Sequence, residues 1–367
     1  MCVCRVHVRL LVQTFLNSES LEWEVTAGQR DGARLEEQQM GRIADSHNEL
    51  YHYTTAAGLS GILESKSLRA THASFVNDEE EIIGFYDRIL PKILRPVFRK
   101  YVEDIKGKSE FQQLQGNTPF DLYFEEQFIK LIRTLKEVAS GFHDHYIVSF
   151  TTTTDPDEHD HGLLSQWRAY GPDGGYALVF DTAPLDKIIS EEIAPYQDEK
   201  YLWADVQYSL NERLRTDDSD TNHWIEELEA AAAKYFRSNS TKDASDFSEP
   251  LTTLSCLFKH RGFEEEHEVR LVLSLLGSKL ESHPKLQSVR QHPIKTTARG
   301  GVTVPFVELC VREASSVRQH LPIKRIIVGP HRDKNDRKRA VQLLLKQHGL
   351  NDLIDKVSVS DIPYRGR

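Results

Sequence analysis

The alternation of polar and apolar positions is most regular between residues 266 and 273. Side chains of a β-strand point to opposite faces in turn, and the aliphatic and β-branched residues in this segment favour a strand. Its apolar face would carry Val269, Leu271 and Leu273. Its other face would carry Glu266, Glu268 and Arg270. Two carboxylates and a guanidinium on the open face of a strand suit ligand binding; the alternative is a solvated edge strand with a local ion pair.

Similar patterns predict the rest of the secondary structure. Strands are predicted at residues 50–54, 68–71, 146–151, 176–180, 204–208, 302–309, 323–328 and 357–360. Helices are predicted around residues 59–63, 82–90, 121–138, 163–170, 224–236 and 333–347. Thr54 or Thr55 would cap the first helix and Asn77-Asp78 the second, which Pro91 and Pro96 would break or kink. The mixture, without internal repeats, predicts one α+β domain with helical insertions.

The ends and one internal segment differ from this pattern. Residues 1–39 are weakly patterned, and Met40 stands directly before the first well-formed element. We therefore interpret residues 1–39 as an N-terminal extension, for which an upstream start site is one explanation, and residues 40–367 as the domain. The apolar patch at residues 8–16 is interrupted by polar residues and lacks a small-residue cleavage site, unlike a signal peptide. The highly charged segment 211–249 is predicted to be an insertion.

Composition narrows the class of protein. The 367 residues are 39% hydrophobic and 28% charged, as in a soluble globular protein. No run approaches the roughly eighteen apolar residues of a membrane span, so no membrane partner is expected. The formal charge of −10 disfavours general electrostatic binding to nucleic acid. Four cysteines are too few for a disulfide framework in a chain of this length, which predicts a reducing, cytoplasmic location.

Three groups of residues carry candidate binding chemistry. His52, between Tyr51 and Tyr53, could donate a hydrogen bond to a sugar hydroxyl or carry a proton, although isolated histidines are usually structural. The hydroxyls of the 149–151 strand, with its central phenylalanine in the core, could position a ribose or a carboxylate. The helix near residue 167 offers stacking surface and a phosphate-binding guanidinium, or simply a core anchor. The residues of these last two groups are Ser149, Thr151, Trp167, Arg168 and Tyr170.

Two clusters of histidines and acids are candidate metal sites. They are His143-Asp144-His145 and Glu158-His159-Asp160-His161. Neutral histidine and carboxylate are both metal ligands. The helical spacing of the HExxH type is missing, and the first cluster falls where a strand begins. No metal is therefore expected, and metal-dependent hydrolysis stays the third of three hypotheses.

Taken in order, these motifs resemble a mostly bacterial family of unknown function, DUF2971. Its pattern comprises a LYHYT-type strand, an "ND..E" step, "SF", "QWr.YG", "K..gf..E.EvRlv" and a strand that ends in Gly-Pro. The matching segments are Leu50–Thr54, Asn77–Glu79, Ser149–Thr151, Gln166–Gly171, Lys259–Val272 and Ile326–Pro330. The resemblance extends from about residue 50 to residue 365, and the family label implies no activity.

The chain also resembles ADP-ribosyltransferases, more loosely. This resemblance rests on the order of a YH[YF]T strand, an S-x-S/T strand and an E-x-E strand. It implies a single split β-sandwich with helical insertions and a cleft for NAD. His52 would then bind the dinucleotide, and Ser149 and Thr151 would position the nicotinamide ribose. Glu268, with Glu266, would take the catalytic role. Stacking would fall to Tyr53, Trp167 or Tyr170, and diphosphate binding to Arg270 or Arg168.

The leading hypothesis is accordingly an NAD-dependent ADP-ribosyltransferase or NAD glycohydrolase. A toxin or an antiphage effector would be a role consistent with this activity. NAD would be the substrate, and the acceptor (protein, nucleic acid or small molecule) stays open. The Ser-Phe-Thr step departs from the usual Ser-Thr-Ser, and the insertion at 211–249 lengthens the spacing to Glu268. The rival hypothesis is a binding module whose cleft recognises a nucleotide or a peptide without chemistry.

Overall fold

A computed structural model describes most of the chain beyond residue 41. The described residues are 42–76, 84–139, 143–171, 174–196, 199–208, 210, 214–216, 218–238, 241–276, 291–310 and 320–363. The predicted extension at 1–39, the Asn77-Asp78 cap and part of the 211–249 segment lie outside them. Among the helices of the described residues, none combines the length and the apolar character needed to cross a membrane.

The described strands form one open, mixed sheet, which confirms the predicted α+β class. They are β1 (Glu49–Thr54), β2 (Leu68–His72), β3 (His143–Thr151), β4 (Tyr176–Asp181), β5 (Lys200–Asp205), β6 (Glu268–Leu276), β7 (Ile294–Arg299), β8 (Val302–Leu309), β9 (Ile323–Val328) and β10 (Val357–Val359). The order along the sheet is β10-β9-β4-β1-β3-β2-β8-β7. The strand β6 pairs with β3 on one side and with β5 on the other.

Helices connect and cover these strands. They are α1 (Arg42–Ser46), α2 (Ala56–Ser65), α3 (Leu90–Ile105), α4 (Ser109–Gln115), α5 (Phe120–Ala139), α6 (Pro156–His161), α7 (Leu164–Tyr170), α8 (Thr182–Ile193), α9 (Ser219–Ser238), α10 (Thr241–Ser255) and α11 (Lys334–Gln347). A π-helical turn (Phe85–Ile89) precedes α3, and 3₁₀ turns span Ala73–Phe75, Arg261–Glu266 and Asn351–Lys356. The hydroxyl of Thr55 caps α2 by accepting from the backbone N–H of Gly58 (3.2 Å), as the sequence predicted.

Apolar side chains gather in separate clusters on the two faces of the sheet. One face packs against α2, α8 and α11, and its buried residues include the predicted set Val269, Leu271 and Leu273. A second cluster lies among α3, α5, α9 and α10. The helices α9 and α10 derive mostly from the charged segment predicted as an insertion, and they pack against helices that come much earlier in the chain. A third, smaller cluster surrounds Trp167.

The strand β3 is where the sheet divides. Along one edge it pairs with β6 over its whole length, from His143 to Thr151. Along the other edge it pairs with β2 only at residues 146 and 147 and with β1 only at residue 151. If both registers continued, Tyr53 of β1 and Arg69 of β2 would each lie opposite Ser149. Since both strands cannot occupy the same edge, they diverge beside residues 148–150 and leave a gap.

Three predicted elements differ from the structure. The strand predicted at 204–208 ends at Asp205, because Gln207 instead forms a bridge with Phe258. Pro91 and Pro96 do not end a helix, since α3 begins at Leu90 and continues to Ile105. Pro91 stands where the π-helical turn Phe85–Ile89 passes into α3 and the hydrogen-bond pattern changes. Glu266 belongs to a 3₁₀ turn rather than to β6, which begins at Glu268.

Candidate functional site

A pocket opens at the gap between β1 and β2. About 670 Å³ of space, including its open mouth, lies between strands β1, β2 and β3, the helix α7 and the start of β6. This size falls in the range of small-molecule sites. Its lining residues are Tyr51, His52, Tyr53, Arg69, Thr71, Val76, Ile147, Val148, Ser149, Phe150, Thr151, Gln166, Tyr170, Glu266, Glu268 and Arg299. Most of the residues predicted from the sequence therefore surround one pocket.

Ser149 lies at the centre of this pocket. Its backbone carbonyl, which faces the gap, accepts a hydrogen bond from Nδ1 of His52 (3.0 Å). Because a carbonyl only accepts, the proton is on Nδ1, and Nε2 of the neutral ring is an acceptor. Burial lowers the pKa of His52, although the bond to Ser149 acts in the opposite direction. His52 is therefore a neutral imidazole that replaces the strand partner missing at the gap.

The register of the strands separates His52 from the other predicted residues. Tyr51 lies opposite Thr151, and Thr151 lies opposite Glu268, so these three share one face of the sheet. By alternation His52 belongs to the other face, where its ring contacts Phe150 with centroids 5.7 Å apart. The pocket reaches residues of both faces because it penetrates the sheet at the gap.

Glu268 is the most strongly held charge at the site. Its two carboxylate oxygens accept from Nε of Arg270 (2.8 Å) and from NH2 of Arg270 (3.1 Å). Nζ of Lys259 lies 3.1 Å from Oε2, and the hydroxyl of Ser149 also bonds to the carboxylate. Burial alone would raise the pKa of Glu268, but the charge and hydrogen bonds of Arg270, with Lys259 and Ser149, lower it to about 2. The carboxylate is ionised at any physiological pH.

Lys259 joins the two predicted carboxylates, although the sequence analysis gave it no role at the site. Its ammonium lies 2.7 Å from Oε2 of Glu266 and 4.7 Å from the centroid of the Phe263 ring. Together with the contact to Glu268, these interactions bring together every polar position of the "K..gf..E.EvRlv" motif. The signal was the presence of a lysine in that motif.

The backbone of residues 206–208 fixes this group of charges. Lys259 donates its backbone N–H to the carbonyl of Gln207 (3.0 Å). The N–H of Val206 donates to the carbonyl of Glu268 (2.9 Å), whose own N–H donates to the hydroxyl of Tyr208 (2.9 Å). One short segment thus positions both the lysine and the glutamate. Such a segment cannot be recognised from local sequence because its partners lie 50 to 62 residues away.

The guanidinium of Arg270 is buried and forms its hydrogen bonds within the protein. Only 3% of its surface is exposed, and NH1 donates to the carbonyl of Cys256 (2.6 Å) while the other nitrogens bind Glu268. The predicted role in diphosphate binding is therefore not favoured by this geometry. Arg270 instead orients Glu268.

The helix α7 presents two of its side chains to the pocket. Gln166 and Tyr170, four residues apart, lie on the same side of the helix and line the pocket. Trp167 points to the interior, is 1% exposed, and contacts Tyr53 edge-to-face at 4.8 Å. Arg168 is exposed and is not among the lining residues. The predicted stacking role of Trp167 and phosphate role of Arg168 therefore have no support, since the turn of the helix directs both away from the pocket.

The histidine and acid clusters make contacts within the fold. His145 bonds to the hydroxyl of Ser274 (2.8 Å), and Asp144 lies 3.5 Å from His72. His159 contacts Asp160 (2.8 Å). Across the part of the chain that the structure describes, no three His, Cys, Asp or Glu residues are arranged to hold a metal ion.

Two arginines that the sequence analysis did not consider line the pocket on the side away from β6. Arg69 lies on β2 and Arg299 at the end of β7. The two residues are 230 positions apart and only the order β2-β8-β7 brings them near each other. No motif could have identified them. The pocket is consequently polarised, with carboxylates at one end and guanidinium groups at the other.

This arrangement can bind a ligand of mixed charge. Ser149, Thr151 and Glu268 offer hydrogen-bonding groups to hydroxyls, and an ionised Glu268 can stabilise a positive charge that develops beside it. Tyr51, Tyr53 and Tyr170 add aromatic surface. Since Glu268 already accepts four hydrogen bonds or ion pairs, a ligand hydroxyl must replace one of those donors.

Comparison with known proteins identifies a family without an assigned activity. No curated protein and no solved structure matches the chain. A family model described as "Protein of unknown function (DUF2971)" matches residues 166–271, from the helix α7 through the Lys259–Glu268 network to β6. The match confirms, for residues 166–271, the resemblance to this family that the motifs predicted.

Proposed function

We propose that the protein is an NAD-consuming enzyme of the ADP-ribosyltransferase type. The observation that carries the proposal is the convergence of His52, Ser149, Thr151 and Glu268 on one pocket where the sheet divides. The divergence of β1 and β2 beside β3 resembles the split β-sandwich in which ADP-ribosyltransferases bind NAD. These four residues come from three separate strands, β1, β3 and β6.

The chemistry would proceed at the ribose carbon that bears the nicotinamide. Cleavage of the glycosidic bond sends the bonding electron pair to nicotinamide and leaves an oxocarbenium-like ribose. The ionised Glu268 would hold a ribose hydroxyl and stabilise the developing positive charge. An acceptor, or water, then forms the new bond to this carbon and releases a proton. Glu266 lies beside Glu268 through their shared Lys259 and could take up that proton.

The ribose hydroxyl would displace Lys259 rather than Arg270. The lysine has one ammonium on a flexible four-carbon stem, whereas Arg270 is fixed by three separate hydrogen bonds. On leaving Glu268 the ammonium keeps Glu266 as a partner. Ligand binding would therefore exchange one contact of Glu268 without leaving a buried charge unpaired.

The saturation of Glu268 also favours a second candidate function. A carboxylate with all its acceptor positions occupied resembles a structural ion-pair network, as expected of a non-catalytic nucleotide-binding module of the same fold. In that case Glu268 stabilises the pocket, and the bound ligand remains chemically unchanged.

The two candidates are separated by incubating the purified protein with NAD and measuring free nicotinamide by chromatography. Glu268→Gln keeps the size of the side chain and removes its charge. Glu265→Gln is the matched control, because Glu265 is exposed on the same 3₁₀ turn and is not among the pocket-lining residues. Cell extract is added as a source of acceptors in parallel reactions.

The enzyme hypothesis predicts nicotinamide release that Glu268→Gln reduces by about 100-fold or more, while Glu265→Gln retains it. The binding-module hypothesis predicts NAD binding in calorimetry without release. If the protein neither binds NAD at millimolar concentration nor releases nicotinamide, both NAD-based proposals are wrong.

A further inference from the structure

The arginines at the far end of the pocket carry positive charge that no carboxylate of the described residues neutralises. Within the described residues, no carboxylate lies within 4 Å of the guanidinium of Arg69 or of Arg299. The other cations at the site, Lys259 and Arg270, are both neutralised by carboxylates. Free guanidinium groups in a pocket are typical of anion binding.

The neighbour expected to neutralise Arg69 is bound elsewhere. Glu308 of β8 lies directly opposite Arg69 across the strand pair. Its carboxylate instead accepts from Nζ of Lys295 (2.6 Å). The guanidinium of Arg69 lies over the ring of Phe306, with 4.8 Å between its central carbon and the ring centroid. Stacking of this kind fixes the plane of the guanidinium and leaves its N–H donors available at the edges.

Arg299 is held in place by a different contact. Its NH2 donates to the backbone carbonyl of Phe75, in the 3₁₀ turn that follows β2. That contact draws the end of β7 toward the pocket and occupies one of the five guanidinium donors. Both arginines are exposed at the pocket and both are oriented by the fold, so they form a preorganised pair of cations.

We infer that Arg69 and Arg299 bind the phosphate groups of the pocket's ligand, and that they make the site selective for phosphorylated ligands. The inference deepens the proposed function and rests on it for the identity of the ligand. For NAD, the diphosphate would lie at these arginines and the nicotinamide ribose at Ser149 and Glu268. The assignment replaces the role that the sequence analysis gave to Arg270 or Arg168.

The test compares ligands with and without phosphate in isothermal calorimetry. The probes are NAD, inorganic diphosphate and nicotinamide riboside. Arg69→Gln and Arg299→Gln are expected to weaken binding of NAD and of diphosphate by about tenfold or more each, because each removes a charge-assisted contact. Nicotinamide riboside should bind all variants equally. Arg339→Gln, an exposed arginine on α11 outside the pocket, is the control and should bind every probe as the wild type does.

Arg69→Lys is the control that separates a loss of phosphate binding from a loss of folding. It keeps the charge and should retain part of the diphosphate affinity, and circular dichroism should show the same spectrum for all variants. Equal NAD affinity in the wild type and in Arg69→Gln and Arg299→Gln would overturn the inference, as would a wild type that binds neither NAD nor diphosphate.

Failure of the proposed function gives a different result. Diphosphate binding that depends on the arginines, without release of nicotinamide from NAD, would support the phosphate site and reject NAD cleavage. Release of nicotinamide that depends on Glu268, with NAD affinity unchanged in the arginine variants, would support the enzyme and reject the phosphate site.

Discussion

Glu268 should stabilise the fold in a manner that depends on pH. The pKa of this carboxyl is lowered from 4.5 to about 2 by Arg270 and Lys259 against the effect of burial. A carboxyl with a lowered pKa contributes stability above its unfolded pKa, and this contribution disappears as the pH falls toward the folded pKa. This lowering of the pKa corresponds to about 3 kcal/mol in the free energy of unfolding. Because Glu268 is 6% exposed, solvent screens little of this amount.

Urea unfolding of the wild type and of Glu268→Gln between pH 7 and pH 3 measures this contribution. The wild type should be the more stable at pH 7, since the variant leaves the charges of Arg270 and Lys259 poorly compensated. The difference in the free energy of unfolding should shrink by about 2 kcal/mol on going to pH 3, where protonation has removed part of the effect. Glu265→Gln, measured in parallel, should follow the wild type. A difference for Glu268→Gln that stays constant from pH 7 to pH 3 would refute the ion-pair account.

Three further predictions concern other buried groups. Burial raises the pKa of Asp186 to about 6, despite the hydrogen bond from Trp203. Because the folded state disfavours the ionised carboxylate, the free energy of unfolding of Asp186→Asn relative to the wild type should rise by roughly 2 kcal/mol between pH 4 and pH 8 in urea titrations. An unchanged difference would contradict the raised pKa. Trp167→Ala should destabilise the protein by about 3–5 kcal/mol in thermal or urea unfolding, and Arg168→Ala by less than about 0.5 kcal/mol. Equal losses of stability in the two variants would contradict the buried position of Trp167. The NMR titration of His52 should show a neutral ring protonated on Nδ1 at pH 7 and a pKa below 6.5; a charged ring at that pH would contradict the hydrogen bond to Ser149.

The sequence predicted the parts of the fold that depend on local pattern. The alternation in residues 268–273 identified the strand β6 and the apolar face that packs into the core, but the face with Glu268 and Arg270, which was expected to be open, is buried as well. The position of Glu266 could not be foreseen, since His267 adopts a left-handed conformation (φ 44°) that turns the chain before the strand begins. The same turn still brings Glu266 and Glu268 to one lysine.

Parts of the site that depend on long-range pairing escaped prediction. The segment after β5 alternates apolar and polar residues as a strand does, yet it pairs with residues 257–259 and so positions Lys259. Arg69 and Arg299 carry no motif, and only the sheet order places them at one pocket. Trp167 and Tyr170 lie on the same helix, but their positions around its axis differ, so that only Tyr170 lines the pocket.

The most direct test of the account is release of nicotinamide from NAD by the wild type, Glu268→Gln and Glu265→Gln, with cell extract as a source of acceptors. The account predicts release by the wild type and by Glu265→Gln, and a loss of about 100-fold or more in Glu268→Gln. Equal release by all three proteins, or NAD binding without any release, would contradict the claim that Glu268 acts in an NAD-consuming reaction.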